Sequence, residues 1–387
     1  MVALHERLTV ISSFRSGFLS TMVRHLSGAW PHHAWRGAAA SVLVAAAVTA
    51  PLCVQAQAPT QQAGLRNMTV AGDEPVTVAL FYPTPDSARA IPMGPWSLVV
   101  APGAPVAPGA FKGVILLSHG TGGHEFAHHN LATRLAGEGY LVAALRHPGD
   151  NWQDRSMVTS GGYFGERPRQ VSRVLDALLA SPEWAPRIPT QRIGAVGHSA
   201  GGYTVLALAG AQAEPARAAQ HCRSVQDDSG FCGLAKGPGA TAGAAPAAPA
   251  SAASSTSSSP AGARPRDGAL VSVPDPRIRA VVALAPMAVV FTPESLAAVR
   301  VPVRLIMAEQ DAVLNSRYHG GHVAAHVPAA EASTVPGAGH FAFMAQPSMS
   351  MPSAAGDAAA NPPGFDRVAF QPQLEAQVLQ FFARQWP

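Results

Sequence analysis

The stretch Ile193-Gly194-Ala195-Val196-Gly197-His198-Ser199-Ala200-Gly201-Gly202 constrains the chain more than any other. An apolar run of strand length enters a Gly-x-Ser-x-Gly pattern. The run that follows, Tyr203 to Ala209, has the composition of a buried helix, expected to begin at Gly201 or Gly202. Strand, tight turn and helix in that order place a serine on a strained corner, at the carboxyl end of a strand, with the positive end of a helix dipole behind it. Bulky neighbours would clash at such a corner, and Gly197 and Gly201, flanking His198 and Ser199, remove the clash because glycine has no Cβ. The bare pattern arises by chance in Gly- and Ala-rich chains, so the flanking elements carry the argument.

A serine hydroxyl is a weak nucleophile and needs a base, and the base needs an acid to orient it. Both follow Ser199 in the required order. Asp311 stands just past the apolar run Val303 to Met307, and His340 lies in Pro336-Gly337-Ala338-Gly339-His340-Phe341, just past Glu331 to Val335. Fifteen histidines make any single one weak evidence, and position after the last expected strand selects His340. Glu309 is a rival acid two residues earlier, and the turn-forming position favours Asp311. An acyl-transfer intermediate also needs donors for its oxyanion. The N–H of Ala200 is one candidate. The Gly-rich loop His119-Gly120-Thr121-Gly122-Gly123 supplies the other, with Thr121 as the expected donor. His124, His128 and His129 are histidine-rich but share only a lone Glu125, so a solvated helix start is expected there and no metal site. The segment His147 to Trp152 follows a strand and is placed to line the pocket, while Met344, Met349 and Met351 read as an apolar flap or a loop.

Around this centre the chain alternates. Val114 to Ser118 is an apolar run suited to a buried strand, followed by a helix over Ala127 to Glu138, a strand over Tyr140 to Leu145 and an amphipathic helix over Arg167 to Leu179. Strands over Ile278 to Ala285, Val303 to Met307 and Glu331 to Val335 come later, and a helix over Pro372 to Arg384 closes the chain. The expectation is an α/β fold, a mostly parallel doubly wound sheet with helices on both faces. Residues 59–67 read as a polar leader, Met68 to Ala71 and Val76 to Tyr82 as an edge hairpin, and the Pro- and Ala-rich residues 83–110 as an irregular excursion. Residues 212–275 interrupt the alternation and read as an insertion within one domain, 59–387. Its tract 237–263 is mostly Ala, Pro, Gly and Ser, a composition that cannot bury enough apolar surface to order itself.

Apolar residues are 48% and charged residues 13%, enough for a large core. The net charge of +4 comes largely from four arginines in residues 1–58, and no dense basic patch remains elsewhere, so a nucleic-acid role has little support. Residues 1–58 read as an export signal with an N-terminal extension. Arg24 and Arg36 precede the apolar run Ala38 to Val54, and Ala56 and Ala58 suit cleavage after either, with Met22 an alternative start. The run is short for a membrane span, so no stable membrane insertion is expected after cleavage. A periplasmic or secreted location follows as an expectation. Cleavage would leave only Cys222 and Cys232, an even pair that suggests a local disulfide; in a cytosolic protein two buried free thiols would be the better reading.

Over residues 66–387 these features together resemble the α/β-hydrolase superfamily. Within it, Leu117 to Gly123, Ala143 to Trp152 and Pro336 to Phe341 are similar to the bacterial dienelactone-hydrolase-like proteins related to platelet-activating-factor acetylhydrolase. The resemblance implies a Ser–Asp–His ester hydrolase without a cofactor, acting on a small-molecule ester. Dienelactone hydrolases proper carry a cysteine nucleophile, and Ser199 favours ordinary carboxylic esters. Amide cleavage by the same residues, and a non-catalytic exported binding protein on the same scaffold, are the alternatives.

Overall fold

The computed structural model describes residues 61–234 and 269–387. The expected export signal and the tract 237–263 lie outside the described residues. The strands are β1 (Gln62–Val70), β2 (Val76–Thr84), β3 (Arg89–Met93), β4 (Trp96–Pro102), β5 (Val114–Ser118), β6 (Leu141–Arg146), β7 (Ile193–His198), β8 (Ala280–Leu284), β9 (Val303–Ala308) and β10 (Ala330–Val335). They form one sheet in the order β10-β9-β8-β7-β5-β6-β2-β1-β4-β3. From β6 to β10 every pairing is parallel. The principal helices are α1 (His129–Gly137), α2 (Tyr163–Ala180), α3 (Ala200–Leu208), α4 (Ala216–Ser224), α5 (Ser229–Leu234), α6 (Pro293–Ala297), α7 (Gly320–His326) and α8 (Arg367–Gln385). The expected fold class is the one observed.

Strands β5, β7 and β8 are buried along their whole length, which is why they read as continuous apolar runs. Alternate side chains serve two cores. Leu116 and Ala195 pack with Val171, Val174 and Leu175 of α2, whereas Ile115, Leu117 and Val196 pack with Leu131 and Leu135 of α1 and Leu374 and Val378 of α8. Register brings the functional ends together: Ser118 pairs with Gly197, His198 with Leu284, Leu284 with Ile306, and Ala308 with Val335. The carboxyl ends of the parallel strands therefore form one rim, where open α/β sheets carry their sites.

The N-terminal third departs from expectation. Residues 83–110 hold β3 and β4. In β4 Trp96, Leu98 and Val100 are buried while Ser97 and Val99 are exposed, an ordinary period of two that the surrounding prolines obscure. Residues 62–67, read as leader, are part of β1. The hairpin of β1 and β2 is present but not at the edge, because β4 pairs with β1 and β3 takes the edge. Two helix starts also move. Helix α2 begins at Tyr163, not Arg167. Helix α8 begins at Arg367, where the Asp366 carboxylate accepts the Ala369 N–H, so Pro372 lies inside the helix.

The described ends of 212–275 are built into the fold. Cys222 and Cys232 form a disulfide joining α4 to α5. Ala213 and Val271 exchange backbone hydrogen bonds, and the Asp275 N–H reaches the Leu208 carbonyl.

Candidate active site

Ser199 has φ 58° and ψ −118°, a region that costs a non-glycine residue on the order of 1–3 kcal/mol. The surroundings hold it there. Its N–H donates to the Leu284 carbonyl at 2.9 Å, and its own carbonyl accepts the N–H groups of Met287 at 3.0 Å and Tyr203 at 3.2 Å. A Cβ on Gly197 would stand 2.0 Å from the Gly201 carbonyl oxygen, and one on Gly201 1.9 Å from the Ser118 carbonyl oxygen. Both glycines are required by contact. Helix α3 starts at Ala200, directly after the serine and ahead of the expected Gly201 or Gly202.

His340 opens a short 3-10 turn, and its Nδ1 lies 2.8 Å from Asp311 Oδ2, with both side chains almost fully buried. The other oxygen of Asp311 accepts the N–H groups of Val313 at 2.9 Å and Leu314 at 2.8 Å, which fixes the carboxylate on its own turn. Glu309 instead accepts the Gly337 N–H and takes no part with His340. The His340 backbone is tied to the elbow, since His198 Nε2 donates to the His340 carbonyl at 2.9 Å and the two rings lie 4.8 Å apart. That bond assigns the His198 proton to Nε2. Burial, then His340 and His128, hold the His198 pKa well below the usual imidazole range, so His198 stays neutral. With His340 Nδ1 engaged by Asp311, Nε2 is the nitrogen left for proton transfer.

The loop after β5 lies against the serine: a Cβ on Gly120 would sit 3.1 Å from Ser199 Cβ. Two of its N–H groups are committed, Gly122 to Asp150 Oδ1 at 2.7 Å and Gly123 to the Gly120 carbonyl at 3.1 Å. Among the described residues, those of Gly120 and Thr121 have no acceptor. Thr121 Oγ1 shares a hydrogen bond with the Tyr163 hydroxyl at 2.9 Å, which holds the side chain of the expected donor.

Under this loop is a brace that sequence reasoning missed. Arg167 is wholly buried and pairs with wholly buried Asp150. It also donates to the His119 carbonyl, to Thr204 Oγ1 at 3.1 Å and to Ser118 Oγ at 3.3 Å. His147 Nε2 and Ser118 Oγ lie 2.8 Å apart, and His147 Nδ1 lies 2.7 Å from Gln170 Oε1. A signal was present: Arg167, Val171, Val174 and Leu178 fall on one helix stripe, and a charge on an apolar stripe needs a buried partner. His147, Asp150 and Asn151 thus support the loop from below instead of lining a pocket, while Trp152 is exposed and stacks on His124.

The expected solvated helix start at His124 to His129 is also corrected. His128 is buried, with burial pushing its pKa down to about 3, and His129 is pushed down to about 4. Met344 is a core residue, and of the three methionines of the expected flap or loop only Met349 is exposed.

A family model described as alpha/beta hydrolase family matches residues 114–349, more than half of the chain. The chain belongs to the α/β-hydrolase family. Among solved structures, this α/β hydrolase is similar to the ferulic acid esterase from Streptomyces cinnamoneus, at 18% identity and a TM-score of 0.53. The match covers 86% of this chain and 92% of that one, a likeness of fold. No curated protein sequence matches it.

Proposed function

We propose that this α/β hydrolase is a serine carboxylesterase of the dienelactone-hydrolase-like type, with Ser199 as nucleophile, His340 as base and Asp311 as orienting acid. The observation that carries the reading is the buried His340 Nδ1 to Asp311 Oδ2 hydrogen bond, suspended from the elbow that strains Ser199. His340 Nε2 takes the Ser199 proton as Oγ attacks the ester carbonyl. The N–H groups of Ala200 and Thr121 hold the oxyanion, and the Asp311 carboxylate steadies the imidazolium. Collapse of the intermediate breaks the ester C–O bond, and His340 returns the proton to the leaving alcohol. Water then attacks the acyl-serine with His340 again as base, releasing the acid and regenerating Ser199.

The test is initial rates on p-nitrophenyl acetate, butyrate, octanoate and palmitate for the wild type and Ser199→Ala, with p-nitroanilides in parallel. Ester turnover by the wild type should drop by about 10⁶-fold in kcat in the variant. Retained turnover would sink the assignment, anilide turnover alone would make the enzyme an amidase, and failure to label with a fluorophosphonate would point to a binding protein. The disulfide and the sequence of residues 1–58 support export to an oxidising compartment. The N-terminal mass of the protein recovered from the periplasm or medium should correspond to cleavage after Ala56 or Ala58, and an intact chain retained in the cytosol would overturn the location.

A further inference from the structure

Between the two cysteines lies Asp228, buried and outside the residues assigned a role above. Its Oδ2 accepts from His221 Nε2 at 2.7 Å and from His319 Nε2 at 3.0 Å, and its Oδ1 accepts the Asn315 N–H at 3.0 Å. Two of these bonds lead toward the catalytic residues. Asn315 follows Leu314, whose N–H is held by the Asp311 carboxylate. His319 Nδ1 accepts the Ala288 N–H at 3.0 Å, and neighbouring Met287 donates its N–H to the Ser199 carbonyl. The segment that carries Met287 and Ala288 also holds Ala285 at φ 39°. The loop that carries Asp228 also packs directly on the acid turn: a Cβ on Gly230 would lie 2.4 Å from the Ala312 carbonyl oxygen and 2.6 Å from that of Val313.

We propose that Asp228 is a positioning residue that sets both the Asp311 turn and the segment beneath Ser199, with the Cys222–Cys232 bridge holding it in place. The proposal rests on the reading of Ser199, His340 and Asp311 as a triad. Hydrogen-bond chemistry makes the role specific to a carboxylate. Because the Ala288 N–H occupies His319 Nδ1, the ring proton must sit on Nε2, facing Asp228. His221 presents a second N–H to the same oxygen, and the Asn315 N–H meets the other. Three donors converge on one side chain, and only an acceptor at both oxygens satisfies them. An amide of the same shape sets its NH2 against a donor in either orientation. The charged and titratable groups around Asp228 are His221 from α4, His319 from the start of α7, Asp311 across the acid turn, and Asp227, which accepts from the Tyr318 hydroxyl.

The experiment is Asp228→Asn in the disulfide-intact full chain, assayed on p-nitrophenyl acetate across pH 5–8, with thermal melting to establish folding. The expected result is a kcat about tenfold lower with KM within about twofold. The acid limb of kcat/KM should move to lower pH, since a displaced Asp311 stabilises the His340 imidazolium less. A lower melting temperature with kcat and acid limb unchanged would make Asp228 structural only and overturn the proposal. Should Asp228→Asn not fold, His319→Phe removes the donor and cuts the same tie from its other end. It should lower kcat at constant KM, and unchanged kcat there overturns the proposal equally. Ser199→Ala is assayed alongside. If that variant stays active, the triad reading fails by itself; if it is inactive while Asp228→Asn matches the wild type, the positioning role alone fails.

Discussion

The two halves of the candidate site are held by braces of different chemistry. Beneath the loop after β5, Asp150 and Arg167 form an ion pair with no exposure on either side, and together they grip the Gly122 N–H and the His119 carbonyl. Beneath the acid turn, one carboxylate, Asp228, collects two imidazole N–H groups and one backbone N–H. The first brace uses two opposite charges. The second uses a single carboxylate against imidazole and backbone N–H groups, with burial holding the His319 pKa below the usual imidazole range. Burial opposes ionisation of Asp228, and hydrogen bonds from His319, Asn315 and His221 outweigh it, holding the pKa below the usual carboxylate value. The stability this group contributes is therefore complete above the ordinary carboxylate range and is lost as pH falls through its depressed value. One side of the site is locked by charge pairing, the other by a proton arrangement.

The largest effect should come from breaking the charged brace. Asp150→Ala leaves Arg167 buried and unpaired, which costs about 3–5 kcal/mol, read as a lower urea midpoint and a lower melting temperature. The double variant Asp150→Leu with Arg167→Met removes the stranded charge and should recover much of that stability, because replacing a buried pair by apolar groups is often neutral. Under the proposed function, its rate on p-nitrophenyl acetate should stay low, since the Gly122 N–H has lost its acceptor. Recovery of both stability and rate would show that the pair does not shape the proposed oxyanion loop.

Opening the acid-side loop should cost somewhat less. Replacing Cys222 and Cys232 by serine frees a bridge between residues ten positions apart, worth about 3 kcal/mol on loop-closure arguments. Calorimetry of oxidised wild type against the double variant measures it, and a change below about 0.5 kcal/mol would show that packing of Phe231 and Gly230 alone seats the loop.

The smallest effect near neutral pH concerns the histidines under the rim. His128 is neutral in the fold, its pKa pushed down to about 3 by burial, against about 6.5 in an unfolded chain. As pH falls, the unfolded chain takes the proton first, so stability drains away from about pH 6.5 toward pH 3, at up to about 1.4 kcal/mol per pH unit for this one group. His128→Leu should flatten the fall in melting temperature between pH 7.5 and 4.5. An unchanged slope would assign the acid sensitivity to other groups, Asp228 among them.

Much of this arrangement was legible without coordinates, and the limits follow from physics. The buried strands β5, β7 and β8 are read from continuous apolar runs. Ser199, Asp311 and His340 are read from their places after such runs, and Cys222 and Cys232 from being an even pair. In β3 and β4 the alternation is short and set among prolines, so the period of two carries little weight there. The start of α8 was missed because Pro372 resembles a first-turn proline, whereas the actual cap, Asp366, lies six residues earlier. The histidines after Gly123 were misread because nothing local separates an exposed imidazole from a buried one.

What the sequence determined by itself is therefore what local periodicity and chain order encode: a parallel sheet, a serine at a tight turn between a strand and a helix, and Asp311 and His340 placed after later strands. What only the tertiary structure decided is which polar groups meet in the interior. Arg167 reaches the His119 carbonyl across 48 positions, and Asp228 reaches His319 across 91. Such contacts leave no periodic trace, because a buried charge is tolerated only where distant segments bring it partners, and that depends on the completed packing and not on the residues beside it.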